Sequence, residues 1–180
     1  MELWDLYTEN REKTGKTMVR GEKQPDGFYR IVVHVCIFNA KNQLLIQQRV
    51  PFKDDWKNLW DITVGGSAIS RESSRNAAAR ELKEELGLEI DFSDAKNVRR
   101  AFSLNFHGGF DDFYIIKKDV NLSALKFQTE EVQNAKWVSK DEIFTLIDEK
   151  KFIPYHKSFI DFLFFQKDNE GSHTQKDFTK

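Results

Sequence analysis

Glu81, Glu84 and Glu85 fall within one and a half turns of "SRNAAARELKEELGL" (74–88), a stretch that carries helical signals and follows the pair Gly65 and Gly66. At about 100° per residue, with Glu81 as origin, Glu84 lies near −60° and Glu85 near +40°, while Ala78, Ala79, Leu82 and Leu86 spread over roughly 60° to 160°. Carboxylates therefore crowd beside an apolar stripe. Like charges four residues apart cost a few tenths of a kcal/mol on an exposed helix, and more where water is partly excluded. A hard divalent cation offsets that repulsion. Mg²⁺ takes oxygen ligands and is typically shared between one or two protein carboxylates and a substrate phosphate, so the pattern points to phosphate chemistry. A solvated helix in which Arg80 and Lys83 neutralise the acids gives the same string and is the commoner case for "RELKEEL" (80–86) alone. The neighbours shift the balance. Gly65 and Gly66 permit a close turn directly after a strand. Glu72 stands just ahead of the helix, where its charge suits the dipole and where Arg80 can fold back onto it.

The elements needed to position these groups are legible. "FYRIVVHVCIFN" (28–39) and "QLLIQQRV" (43–50) read as strands joined by a turn, and "LWDITVGG" (59–66) as a further strand. Serines open the helix over 73–86, and Gly87 stands where a left-handed cap is needed. "LEIDF", "VRRAFSLNF" and "FDDFYIIKK" read as strands, and "AKWVSKDEIFTLIDEK" as a short strand entering a helix capped by Ser139. Pro154 is expected to open a last, strongly apolar helix, and the polar segment 168–180 to be a flexible tail. Strands interleaved with a few helices imply a mixed α/β sandwich.

The spacing Gly66, five residues, Glu72, seven residues, Arg80-Glu81-Leu82, one residue, Glu84-Glu85, one residue, Gly87-Leu88 resembles the complete Nudix box of the diphosphate hydrolases. That resemblance implies an α/β/α sandwich with a central mixed sheet, in which the box forms a loop-helix-loop that binds Mg²⁺ or Mn²⁺. It implies metal ligation by Glu81, Glu84, Glu85 and the Gly66 carbonyl, with one of the acids also the base, and structural roles for Glu72 and Gly87. The implied reaction is attack of water on a phosphoanhydride of a nucleoside di- or triphosphate or a related compound. Arg80 is assigned to orientation, because an always-protonated guanidinium cannot act as a base.

Outside the box, "ELWDLYTENREKTG", "YRIVVHVCIFN" and "LLIQQRVPFKDDWKNLWDITVGG" resemble the branch containing isopentenyl diphosphate isomerase and its hydrolase-like relatives. In that branch the positions of Arg49 and Lys53 hold the substrate diphosphate. The isomerase's catalytic cysteine and metal-binding histidines are replaced here by Gly65, Arg30 and Ser67, which removes the thiol and nitrogen ligands that its chemistry needs. Arg30 is instead a candidate phosphate grip. Asp112 stands about where the branch has a metal-binding acid and is a candidate ligand or base, with Glu130 and Glu131 as competitors. His34 and Cys36 share a strand face with Arg30 and are expected to be core residues. Trp56 and Trp60 are candidates to stack on a base or cover an isoprenoid chain, with core packing expected for Trp60.

The chain has 180 residues, enough for one domain at about 100 to 200 residues each, expected over 1–167. Sixteen Phe argue for a packed interior, while a formal net charge of −1 gives no basic excess for nucleic acid. Cys36 is the single cysteine, so no internal disulfide forms. With no apolar run near twenty residues and no signal-like N-terminus, no membrane partner is expected and the cytoplasm is the expected location. A homodimer is compatible with the sequence but not specified by it. Two other functions fit the pattern less fully: an isoprenoid or other non-nucleotide diphosphate hydrolase, which Arg49 and Lys53 support, and a catalytically silent ligand-binding module, against which the intact acids argue.

Overall fold

The computed structural model describes residues 2–94 and 96–173; the last part of the expected tail, 174–180, lies outside them. A hairpin of β1 (Leu3–Tyr7) and β2 (Lys13–Val19) precedes a sheet built from β3 (Arg30–Phe38), β4 (Leu44–Arg49), β5 (Trp60–Asp61), β6 (Val64–Ser67), β7 (Val98–Phe106), β8 (Gly109–Lys117) and β9 (Val132–Val138). The helices are α1 (Ser74–Leu86), α2 (Lys140–Asp148) and α3 (Lys157–Gln166). β3 lies at the centre, parallel to β8 and antiparallel to β6, so the sheet is mixed. Ile31, Val33, Val35 and Ile37 face Ala77, Ala78, Leu82 and Leu86 of α1. Cys36 and Phe38 face Ile143 of α2 and Ile160 and Leu163 of α3. A strand buried on both faces reads as a nearly continuous apolar run, which is what "IVVHVCIF" is. The architecture is the expected α/β/α sandwich.

The stretch 59–66 departs from a single strand. β3 and β4 pair only at Phe38 and Leu44 before they splay. Thr63 fills the opening: its hydroxyl donates to the Leu45 carbonyl and accepts from the Ile37 amide at 2.9 Å. The chain thus changes partner, from β4 at β5 to β3 at β6.

Two other expectations are corrected. "LEIDF" is not a strand; Leu88, Ile90 and Phe92 alternate because they pack on the α1 face, without a ladder partner. The last helix begins at Lys157, after His156, rather than at Pro154. The β1–β2 hairpin went unread because "KTGKTMV" is polar and mostly exposed. Among the described residues, no helix is long and apolar enough to cross a membrane.

Candidate active site

Helix α1 is fixed at both ends. Ser73 caps it by accepting from the Asn76 amide, and Gly87, at φ 68°, takes the left-handed cap and donates its amide to the Lys83 carbonyl. A β-carbon on Gly87 would also meet Lys126 at 2.7 Å. The loop between β6 and α1 is held from outside by the hairpin. Asp5 of β1 accepts from the Ser70 hydroxyl at 2.7 Å and the Arg71 amide at 3.0 Å.

Arg80 is the hub of the carboxylates. It makes a two-point pair with Glu72 at 2.9 and 3.1 Å, reaches Glu81 at 3.0 Å and Glu84 at 2.8 Å, and donates to the Ser67 carbonyl at 3.1 Å. Glu72 in turn accepts from the Ile69 amide at 3.2 Å. Loop and helix are thereby locked together, and one guanidinium offsets part of the charge of three acids.

Glu85 has no such partner. It is buried, and its carboxylate accepts from the Gln47 amide nitrogen at 2.7 Å. Burial first, and the neighbouring Glu81 charge second, push its pKa well above the usual carboxylate range. Burial also raises Glu81 to about 7, against the opposing pull of Arg80. Glu81 lies against the backbone of Gly66.

The cleft these acids line, about 330 Å³ in volume, also gathers basic side chains. It presents Arg30, Arg49 and Lys53, with Arg20 at its edge. Lys53 is paired with Glu131, and Arg20 with Glu2 at 3.0 Å. Arg30 and Arg49 have no ion-pair partner among the described residues. Arg30 donates to the Ser67 hydroxyl at 2.8 Å and lies over the Trp4 ring at 4.7 Å, and Arg49 donates to the Asp55 carbonyl at 3.1 and 3.2 Å. The structure therefore brings together Gly66, Arg80, Glu81, Glu84, Glu85, Arg30, Arg49 and Lys53. Among the described residues no three acidic, His or Cys side chains are already gathered at metal-ligand spacing.

Asp112 is not brought to this cleft. It is fully buried on the α1 face of β8, where Arg11 grips both oxygens and the Ser74 and Ser103 hydroxyls donate to it. With its lone pairs occupied, it has none to offer a cation. Asp111 points to the other face and meets His34 Nε2 at 3.2 Å. Cys36 is fully buried, whereas His34 is only half-buried and Glu130 is exposed. Trp56 is exposed, and Trp60 is half-buried beneath Lys136 at 4.6 Å. Sequence reasoning missed Gln47, whose signal was an amide continuing the buried run Leu44–Ile46 of β4, and Trp4 and Glu2, which reach the cleft from the unread hairpin.

The NUDIX domain family matches residues 28–172. The chain is a Nudix hydrolase. It is 54% identical to an uncharacterized Nudix hydrolase of Listeria innocua, over 86% of this chain and 90% of that one. It is 29% identical to an isopentenyl-diphosphate Delta-isomerase of Shigella flexneri over 62% of this chain and 63% of that one, in keeping with the branch resemblance. The solved structure of DR0079 from Deinococcus radiodurans superposes with a TM-score of 0.73 at 23% identity, covering 89% of this chain and 98% of that one. Nudix hydrolases act on small diphosphate compounds and generally use divalent metal ions.

Proposed function

We propose that this Nudix hydrolase cleaves a phosphoanhydride bond in a nucleoside di- or triphosphate, or a related nucleotide derivative, with Mg²⁺ or Mn²⁺. One observation carries the reading: a small cleft gathers the carboxylates of helix α1 and two arginines without carboxylate partners. Glu85, Arg30 and Arg49 line it without an ion pair among the described residues. A polyanion bridged by a divalent ion satisfies all three.

The residues fit a hard cation. Glu85 is a buried carboxylate whose hydrogen bond comes from a neutral amide, and the oxygens of Glu81, Glu84 and the Gly66 carbonyl complete an all-oxygen donor set. Such an ion neutralises charge on the phosphoryl oxygens and acidifies water. The chain's own groups do the rest. Arg30, Arg49 and Lys53 hold the diphosphate, Arg80 keeps Glu81 and Glu84 in place, and one of the carboxylates takes the proton of the attacking water. Phosphate release from nucleoside diphosphates, triphosphates, nucleotide sugars and prenyl diphosphates, with Mg²⁺ and with chelator, tests this. Turnover of nucleotides that chelator abolishes is expected. Turnover of prenyl diphosphates alone transfers the reading to the isoprenoid alternative, and no release from any compound together with no metal uptake leaves a binding module.

A further inference from the structure

A second hollow, of about 530 Å³, opens at the start of α1. It shares no lining residue with the acidic cleft, although Glu72 of its wall is bonded to Arg80 of the cleft. Five cationic side chains line it: Arg11 and Lys13 of the hairpin, Arg71 of the loop before α1, Arg75 of the first helical turn and Arg100 of β7. The whole chain carries a formal net charge of −1, so this concentration is local. Two acids answer it. Asp112 is gripped on both oxygens by Arg11 and lies 3.5 Å from Arg100, and Asp5 takes Lys13 at 2.7 Å. Glu72 is the one acid in the wall itself, and both its oxygens are held by Arg80. Arg71 and Arg75 have no ion-pair partner among the described residues. Five cations against Asp112 and Asp5 therefore leave an excess of three positive charges around one concavity.

Cations on a convex surface spread their charge into water, but a hollow lined by one sign focuses the field and draws in anions. The backbone adds to that field. Ser73 spends its hydroxyl on the Asn76 amide, while the Ser74 and Arg75 amides have no acceptor among the described residues and point outward from the helix start. Guanidinium forks and free amides together match the several oxygens of a tetrahedral oxyanion better than a single-point charge does. The volume is within the usual range for small-molecule sites, so it accommodates more than a bare ion.

We propose that this hollow is a second anion site, outside the catalytic cleft, that takes a phosphate group, either free or carried on a small organic molecule. Neither the bound cation nor the reaction enters the argument. The test uses the full chain in chelator and follows backbone amides by nitrogen-15 correlation spectra. Inorganic phosphate and ribose 5-phosphate are titrated in turn, with ionic strength held constant by chloride. The Ser74 and Arg75 amides are expected to shift and to saturate. Saturation by inorganic phosphate identifies a free anion; saturation by ribose 5-phosphate alone identifies a phosphoryl group on an organic carrier. Arg71 has φ 70°, which glycine adopts readily, so Arg71→Gly removes one cation without a backbone penalty. In that variant the midpoint at Ser74 and Arg75 is expected to rise about tenfold or more, as the loss of one charge-assisted hydrogen bond requires, while any midpoint at Gly66 and Ser67 in the cleft stays in place. Should Arg71→Gly lose its dispersed spectrum, Arg100→Gln decides by the same criterion. Shifts at Ser74 and Arg75 that never saturate, shifts confined to Gly66 and Ser67, or a midpoint unchanged in the folded variant overturn the site.

Discussion

Gly66 has no space for a side chain because the Glu81 carboxylate fills it: a β-carbon there would stand 2.1 Å from the Glu81 carboxyl carbon. Gly66 is not among the glycines with positive φ, so alanine meets no backbone penalty at this position. What gives way is the flexible end of Glu81. Gly66→Ala is therefore expected to keep its thermal stability while losing about 10²-fold in kcat, since displacement of a positioned group by about 1 Å has that scale of effect. Mn²⁺ uptake measured by electron paramagnetic resonance is expected to weaken in step. Full turnover in this variant would show that the contact with Glu81 has no part in catalysis.

Glu81 and Glu85 tie function to pH. Both acids have folded-state pKa values raised by burial, Glu81 from 4.5 to about 7. Between those values the folded chain binds more protons than the unfolded one, so this contribution makes stability fall as pH rises from about 4.5 to about 7. In chelator, urea melts of the wild-type protein are expected to show that decline, and Glu81→Gln and Glu85→Gln to flatten it. Each variant is expected to fold and to lose turnover by orders of magnitude, about 10²-fold or more. Melts with the same pH slope in all three proteins would contradict the burial of charge.

Much of this arrangement was readable before the fold was known, and the reason is local. The box is one contiguous run whose spacing fixes Arg80 on Glu72 and Glu81 beside Gly66 within a single loop and helix. Arg49 and Lys53 were placed by resemblance along one strand and the turn after it. Groups that enter from distant chain were not legible. Gln47 meets Glu85 across 38 positions, and Arg11 meets Asp112 across 101, so no periodicity in either segment announces the contact. The alternation that suggested a strand at 88–92 came from burial alone, which looks the same in sequence whether or not the backbone finds a partner. For Asp112, one step of register decided everything: its neighbour Asp111 faces His34, while Asp112 faces the interior.

That interior position makes Asp112 a stability residue. Burial pushes its pKa upward, but hydrogen bonds from Arg11, Ser103 and Ser74 outweigh burial and hold it below the usual aspartate value. A depressed folded pKa means stability that is full above the unfolded value near 3.8 and is lost as pH falls through the folded one. Asp112→Asn leaves Arg11 without its counter-charge, and removal of one partner of a buried pair typically costs about 3–5 kcal/mol. Arg11 is partly exposed, so the lower end is expected. Denaturant melts of Asp112→Asn at neutral pH read this loss, and its turnover per folded molecule, with saturating Mg²⁺, is expected to stay near wild type. A large drop in turnover without loss of stability would return Asp112 to the catalytic set.

Arg49 and Arg80 line the same cleft but differ in what their removal leaves behind. Arg80→Ala strips the counter-charge from Glu72, Glu81 and Glu84 together, so both stability and activity are expected to fall. Arg49 has a carbonyl as its partner and no carboxylate depends on it. Arg49→Ala is therefore expected to melt within about 0.5 kcal/mol of wild type. Its effect should fall on the substrate instead, because a charge-assisted hydrogen bond to an anion contributes about 1.5–3 kcal/mol, or roughly tenfold to a hundredfold in KM. Rising ionic strength should narrow the gap between the two proteins, since screening weakens the attraction that the variant has already lost. Steady-state kinetics at low and high salt read both effects, and a KM unchanged at low salt would mean that the diphosphate is held without Arg49.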